Sequence, residues 1–325
     1  MKRCLITGIG GFLGSHLAEF LLAQGLAVYG TVHRNIRNIE PLKHKPVNMT
    51  CDLLKGDQVE ATVATVRPAL VFHLASQSLV TRSWQDPEGT LQVNVLGTLH
   101  LLEAIRRVGD HPLVIVVGSS AECGSSSPEG IPITEDRPPC PTSPYGVSKV
   151  AAGLLSRLYW RTYGMKVVRV RPFFVTGPRK VGDVCSDFAR GVVAVENGHR
   201  ERLLVGNLSP IRDFLDVRDA VRAFWLLAEK GSPGEVYNVC SGVGRTVREV
   251  LDIIVSLANR PVSVDQDPQR RRPADEPYIV GDNRKLRALG WAPELPLEMT
   301  LADMLDYWRG QDQRQPFSHL ASSSA

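Results

Sequence analysis

The run Thr7-Gly8-Ile9-Gly10-Gly11-Phe12-Leu13-Gly14 constrains this chain more than any other stretch of it. It follows an apolar run directly and opens an amphipathic one, which is the place of a turn between a strand and a helix. A glycine at 8 permits the tight turn, one at 11 lets a ligand approach the backbone, and one at 14 lets helix and strand pack closely. The N-terminus of the following helix offers N–H groups and the positive end of its dipole, which together favour a phosphate. Turns recruit glycine for many reasons, so the cluster gains its meaning from the strand before it and the helix after it.

That alternation continues along the chain. Apolar runs predict strands at residues 4–7, 27–32, 71–74, 113–117 and 166–170, and amphipathic stretches predict helices at 15–23, 57–66, 91–108 and 149–163. Continuously apolar strands separated by helices are the pattern of a parallel sheet covered on both faces. Right-handed crossovers wind such a sheet doubly. Past Arg171 the pattern breaks into turns such as Gly177-Pro178, Gly206-Asn207 and Ser232-Pro233-Gly234, with a helix still expected at 219–229 and a strand at 235–239. The expectation is an α/β fold: a Rossmann-type doubly wound parallel sheet with a smaller, interleaved C-terminal substrate lobe. Residues 1–171 with 212–239 are assigned to the dinucleotide-binding domain and 172–211 with 240–309 to the lobe. A disordered tail is expected from 310 to 325, where apolar periodicity ends.

Composition excludes several classes of function. With 325 residues, 43% hydrophobic and 22% charged, the chain is long enough and apolar enough to bury a large core. Its net charge of +4 is spread along the sequence, which argues against a nucleic-acid partner. The one dense cationic run, Arg270-Arg271-Arg272, is followed by Pro273, Asp275 and Glu276, and reads either as a solvated loop or as a phosphate contact. Cysteines 4, 51, 123, 140, 185 and 240 form no CxxC pair and no metal-ligand spacing, so no metal is expected and a reducing compartment is. There is no secretory leader pattern and no apolar run of membrane-spanning length, which makes a soluble cytoplasmic protein the expectation.

Tyr145-Gly146-Val147-Ser148-Lys149 puts a phenol and an ammonium four residues apart, on one face of a helix that Ser143-Pro144 would start. A nearby cation favours the phenolate, and such a tyrosine can exchange a proton with an alcohol or carbonyl oxygen while hydride moves at a nicotinamide. Gly118-Ser119-Ser120-Ala121-Glu122-Cys123-Gly124 follows the strand at 113–117 and offers two hydroxyls, Ser119 and Ser120, as a third member. The second strand ends Thr31-Val32-His33-Arg34-Asn35, without the carboxylate that usually holds the ribose of NAD and with a cation in Arg34. NADP(H) is therefore favoured, with NAD(H) possible.

These motifs resemble the extended short-chain dehydrogenases, whose glycine spacing is G-x-x-G-x-x-G. The likeness is carried also by His73-Leu74-Ala75-Ser76, by Asp52-Leu53 and by Asn94-Val95-Leu96-Gly97-Thr98. It implies cofactor contacts from Gly8, Gly11, Phe12, Leu13, Gly14, Arg34, Asp52, Leu53, Leu74, Ala75 and Ser76, together with Tyr145 and Lys149, and a structural role for Asn94. It also implies that Ser119, lined up backward from Gly124, is the catalytic hydroxyl, with Ser120 competing. Further stretches, Arg171–178, Val205-Gly206-Asn207-Leu208, Arg212-Asp213-Phe214-Leu215-Asp216-Val217, Tyr237-Asn238-Val239-Cys240-Ser241-Gly242 and Arg272-Pro273-Ala274-Asp275, resemble the GDP-mannose 4,6-dehydratase and GDP-4-keto-6-deoxymannose reductase group. The resemblance covers about residues 1–308. It implies a nucleotide-diphosphate sugar as substrate and a homodimer joined by the helices 91–108 and 149–163. Arg212 and Arg272 are candidates for the diphosphate, Asp275 or Glu276 for a ribose, and Asn207, Ser120, Glu122, Phe174 and Arg190 for the rest of the substrate.

Three positions depart from the dehydratase pattern. The glutamate that would remove the C5 proton is Ala121, with Glu122 one residue along; the tyrosine of that loop is Cys123; and an asparagine is replaced by Phe174. A 4-keto reductase needs hydride and a proton but no C5 base, so reduction is the favoured function. The alternatives are a 4,6-dehydratase or an epimerase that keeps its cofactor, and a non-catalytic NADP-binding sensor.

Overall fold

The computed structural model describes residues 2–33, 36–125, 132–270 and 276–314. Six strands arrive in chain order as β1 (Arg3–Thr7), β2 (Ala27–Val32), β3 (Val47–Thr50), β4 (Leu70–His73), β5 (Leu113–Val117) and β6 (Val167–Pro172). Three more follow, β7 (Phe174–Thr176), β8 (Leu203–Val205) and β9 (Ile211–Asp216). After them come β10 (Val236–Val239), β11 (Gly244–Thr246), β12 (Val264–Gln266) and β13 (Tyr278–Ile279). The main sheet has the order β10-β6-β5-β4-β1-β2-β3, and every pairing in it is parallel.

Alternate residues of each strand feed opposite faces. Ile6, Phe72 and Ile115 pack with Leu17, Leu21 and Phe224 on one side, whereas Leu5, Val71 and Val114 pack with Leu101, Leu102 and Tyr159 on the other. The strand order reverses between β1 and β4, and the crevice outside the carboxyl ends of strands at such a point is where ligands bind in this architecture.

The lobe holds β11, β9 and β13 as a second sheet with β7 added to β9, and β8 pairs with β12. Its core joins the helices Val184–Glu196, Val247–Ser256 and Leu297–Arg314 through Phe188, Val192, Leu251, Ile254, Leu301 and Leu305. These three helices were not read from the sequence. The last one corrects the expected start of the disordered tail at 310: it continues to Arg314, and Asp312 is buried where it meets Asn197 and His199. Residues 315–325 lie outside the described residues.

One helix of the main domain also differs from expectation. The stretch expected as one helix over 91–108 is Pro87–Leu91, a π-helical turn Gln92–Leu96, and then Gly97–Val108. The amphipathic stretch at 149–163 is the larger part of a longer helix, Pro144–Tyr163, which starts where Ser143-Pro144 predicted, with the Ser143 hydroxyl accepting the Gly146 N–H at 3.1 Å.

Candidate active site

A cleft of about 1590 Å³ runs from the carboxyl ends of β1, β2 and β4 across to the lobe. That exceeds the roughly 300–1,000 Å³ of an ordinary small-molecule pocket, so it has room for more than one ligand. Gly8, Gly11, Phe12, Leu13, Gly14, Asp52, Leu53, Leu74, Ala75 and Ser76, the residues expected at the cofactor, all line it. Gly8 has φ +71°, and a Cβ there would lie 2.8 Å from the Cα of Ala75. A Cβ on Gly14 would sit 2.3 Å from the carbonyl oxygen of Gly8. The helix Phe12–Ala23 starts on Gly11 without a side-chain cap. A dinucleotide fits this end: side chains would fill the cradle, and the uncapped helix start suits a pyrophosphate. Thr31, Val32 and His33 line the cleft at the end of β2, while Arg34 lies outside the described residues.

The turn over this cradle is held by a chain of buried hydrogen bonds. The Ala75 N–H donates to Thr7 Oγ1 at 3.2 Å, and Thr7 Oγ1 lies 2.8 Å from His73 Nδ1. His73 Nε2 lies 2.9 Å from Thr98 Oγ1, whose hydroxyl donates to the Asn94 carbonyl. The pattern is satisfied by a neutral imidazole with its proton on Nε2, and burial, reinforced by the Lys149 charge, holds His73 down to about 3. Asn94, in the π-helical turn, grips the backbone of Gln77 from both sides and donates to Ser148 Oγ at 2.9 Å. It thus ties the turn after β4 to the helix that carries Tyr145 and Lys149. Sequence patterning cannot show that the helix must widen there to aim it.

Tyr145 and Lys149 are both buried at the cleft floor. Lys149 Nζ donates to the Val117 carbonyl at 2.9 Å and lies 5.8 Å from the centre of the Tyr145 ring. Ser119 lies beside the Tyr145 hydroxyl and favours its ionised form, and its own hydroxyl accepts the Ala121 N–H at 3.2 Å. The three expected members therefore meet, and Ser120 lines the cleft beside them. One expectation is corrected. Burial pushes the Tyr145 phenol up to about 12, against the pull of Ser119, and brings Lys149 down to about 8. Desolvation, not the ammonium, sets the phenol in this state, and keeps it a proton donor at neutral pH.

Glu122 is a second correction. The loop forms a short 3-10 turn, Ser120–Glu122, so Glu122 does not point into the cleft. It is buried behind the loop, where one carboxylate oxygen accepts the Ser119 N–H at 2.9 Å and the other accepts Arg171 Nε at 2.9 Å. Cys123 is likewise turned inward, in an apolar cluster with Ile133, Phe173, Cys240 and Ile279, rather than beside a sugar. Ala121 is the member of that trio that faces the cleft.

On the lobe side the cleft is lined by Phe174, Asn207, Arg212, Arg270 and Glu276. Arg212 is buried, with its guanidinium 5.2 Å above the Phe174 ring and a hydrogen bond from Nη1 to the Ile211 carbonyl. Its neighbour Asp213 accepts from the backbone of Ser241, Gly242 and Gly281, so it fastens β9 to the two turns beside it. Glu276 accepts the Thr142 hydroxyl at 2.6 Å, which links the lobe to the segment before Tyr145. Arg190 is a third correction: it does not line the cleft but stacks 5.1 Å from the Trp308 ring, because its face of the helix Val184–Glu196 packs on the C-terminal helix. Arg272 and Asp275 lie outside the described residues. The sequence reading missed Lys180, Arg200 and Trp84, which also line the cleft. Of these only Lys180 carried a signal, since it follows the turn Gly177-Pro178.

The sequence pattern of the GDP-mannose 4,6 dehydratase family matches residues 5–304. This chain belongs to that family. It is 34% identical over 313 residues to a GDP-6-deoxy-D-mannose reductase of Pseudomonas aeruginosa, covering 95% of this chain and 98% of the relative. It is 31% identical to a UDP-glucose 4-epimerase of Mycolicibacterium smegmatis, covering 96% of this chain and all of the relative. Among solved structures, RMD from Pseudomonas aeruginosa complexed with NADPH superposes with a TM-score of 0.83 at 33% identity, over 96% of this chain and the whole of that one.

Proposed function

We propose that this protein is an NADP(H)-dependent reductase of a nucleotide-diphosphate 4-keto-6-deoxy sugar, acting as the GDP-6-deoxy-D-mannose reductase relative is named to act. The observation that carries the choice within the family is at the catalytic loop. Ala121 faces the cleft where a dehydratase would need a base, and Glu122, one residue along, is bound to Arg171 behind the loop. In this reading residues 1–171 with 217–239 hold the cofactor and 172–211 with 240–309 hold the nucleotide sugar; β9, which the sequence reading assigned to the cofactor domain from residue 212, goes with the lobe whose sheet it joins.

NADPH, held by the glycine cradle of Gly8, Gly11 and Gly14, would supply the hydride for the carbonyl carbon. The Tyr145 hydroxyl delivers the proton to the carbonyl oxygen, and the buried site keeps that proton in place until the oxygen gains charge. Ser119 holds the phenol and offers a second hydroxyl to the same oxygen, while Lys149 balances the phenolate left behind. Arg212, stacked over Phe174, and Arg270 line the cleft and in this reading meet the diphosphate. The absence of a carboxylate in residues 31–33 supports NADPH over NADH.

The test is direct. Incubation with GDP-4-keto-6-deoxymannose and NADPH should give a product two mass units heavier by mass spectrometry, with stoichiometric NADPH oxidation, and GDP-mannose with NADP should lose no water. Tyr145→Phe should bind NADPH as wild type does and turn over at least about a hundredfold more slowly. Conversion of GDP-mannose to its keto sugar, or of a UDP-hexose to its 4-epimer, with no net change in NADPH would replace this reading by the dehydratase or the epimerase. Tight NADPH binding without turnover of any nucleotide sugar would make the protein a sensor.

We also propose a cytoplasmic homodimer. Six unpaired cysteines support the compartment. Val147, Leu154 and Leu158 lie on one face of the helix Pro144–Tyr163 and are about half exposed, and Leu91 and Leu96 are exposed at the start of the neighbouring helix pair. Such a stripe suits a four-helix contact between two copies. Light scattering at micromolar concentration should report twice the chain mass, and Leu154→Glu with Leu158→Glu should halve it; a wild-type monomer would remove the proposal.

A further inference from the structure

We propose that Glu122 is a positioning residue for the catalytic pair: from behind the loop its carboxylate fixes Ser119 and keeps Lys149 charged. This rests on the role assigned above to Tyr145 and Lys149. The geometry is that of a built site. The Glu122 side chain and the Ser119 hydroxyl cap the same 3-10 turn reciprocally, so the carboxylate sets the backbone from which Ser119 reaches Tyr145. Gly118 makes the space for it: a Cβ there would lie 2.0 Å from Glu122 Oε1.

The charges around it are unequal. Glu122, Lys149, Arg169 and Arg171 share the walls of one small internal cavity. Three cations thus face one carboxylate, and the Nε of Arg169 is buried without a hydrogen-bond partner. The other titratable neighbours of Lys149 are Tyr145 on its own helix and His73 on β4, both held neutral by burial. If the carboxylate were neutralised, the three cations would repel one another in a poorly screened interior. Arginine does not give up its proton in proteins, so the lysine must. The Glu122 charge does act in this direction, countering the loss of Lys149's affinity for its proton that burial causes.

Glu122→Gln keeps the size and an acceptor for the Ser119 N–H while removing the charge. The alkaline limb of the rate of NADPH-dependent reduction should move to lower pH by on the order of one unit. A nitrogen NMR titration of Lys149 should move with it, and that measurement does not depend on turnover. Leaving Arg171 without its partner is destabilising. The double variant Glu122→Gln with Arg171→Gln removes one charge of each sign and should bring both readings back toward wild type. Absence of reduction by wild type would sink the function without touching the titration of Lys149. If both variants bind NADPH as wild type does and neither limb nor titration moves, Glu122 is only structural and the inference is wrong.

Discussion

The two walls of the cleft are made in different ways. On the sheet side the wall is backbone: Gly8 lies against Ala75, Gly14 lies against the carbonyl of Gly8, and the first turn of a helix ends in open space. On the lobe side the wall is side chain: Arg212 over Phe174, with Asn207, Arg270 and Glu276 beside them. A wall of backbone tolerates almost no change of residue, because a Cβ collides with atoms that cannot move. A wall of side chains changes its specificity by exchanging them, and this chain departs from the dehydratase pattern at Phe174.

The contrast is broken most severely on the sheet side. Gly14→Ala adds one carbon 2.3 Å from a backbone oxygen that has nowhere to go. Calorimetric titration should show NADPH affinity reduced at least about a hundredfold, or the protein should fail to fold, because the clash forces the helix off the strand. Wild-type affinity in this variant would mean that the helix start is not what holds the cofactor.

A smaller effect is expected across the cleft. Arg212→Gln keeps much of the stem over Phe174 and loses the charge. KM for the nucleotide sugar should rise roughly 10- to 100-fold, the range for losing hydrogen bonds to a charged group, while NADPH binding stays as it was. A change in NADPH affinity instead would place Arg212 on the cofactor and dissolve the division between the walls.

The same division explains what was legible in the sequence. Strands Ala27–Val32 and Leu113–Val117 fall where the apolar runs put them, and the glycine spacing found the cradle, because both follow from local pattern. That Tyr145, Lys149 and Ser119 come together was legible because they lie on one helix face and at a strand end. In the lobe, the elements are short and amphipathic and lie between turn residues, so three helices were passed over. One left a signal in the capping box of Thr246 with Glu249. Glu122 was expected among the substrate contacts, and a 3-10 turn sends its side chain behind the loop instead. Arg190 was misplaced because a cation in sequence does not reveal that an indole on a distant helix will stack on it. The π-helical turn around Asn94 leaves no periodic trace that differs from an ordinary helix.

The contact that spans the two walls gives the smallest effect. His16, on the first helix of the sheet side, lies with Nε2 2.9 Å from the carbonyl of Pro178, at the entrance to the lobe. Burial, reinforced by the neighbouring Arg179, lowers this histidine to about 4, against an ordinary value near 6.5. Below pH 6.5 the unfolded chain takes up a proton that the folded chain refuses until about pH 4. The unfolded state then binds more protons, so this group makes stability fall as pH falls through that window. His73, held to about 3, contributes in the same direction, whereas Asp213, raised to about 6 by burial, opposes both over part of the range. His16→Gln preserves a donor for the Pro178 carbonyl but cannot be protonated. Denaturant titrations should show the variant losing less stability than wild type between pH 6.5 and 4, with little difference at neutral pH. Parallel curves would mean that His16 takes its proton as readily in the folded state, and that the junction between the walls opens to water.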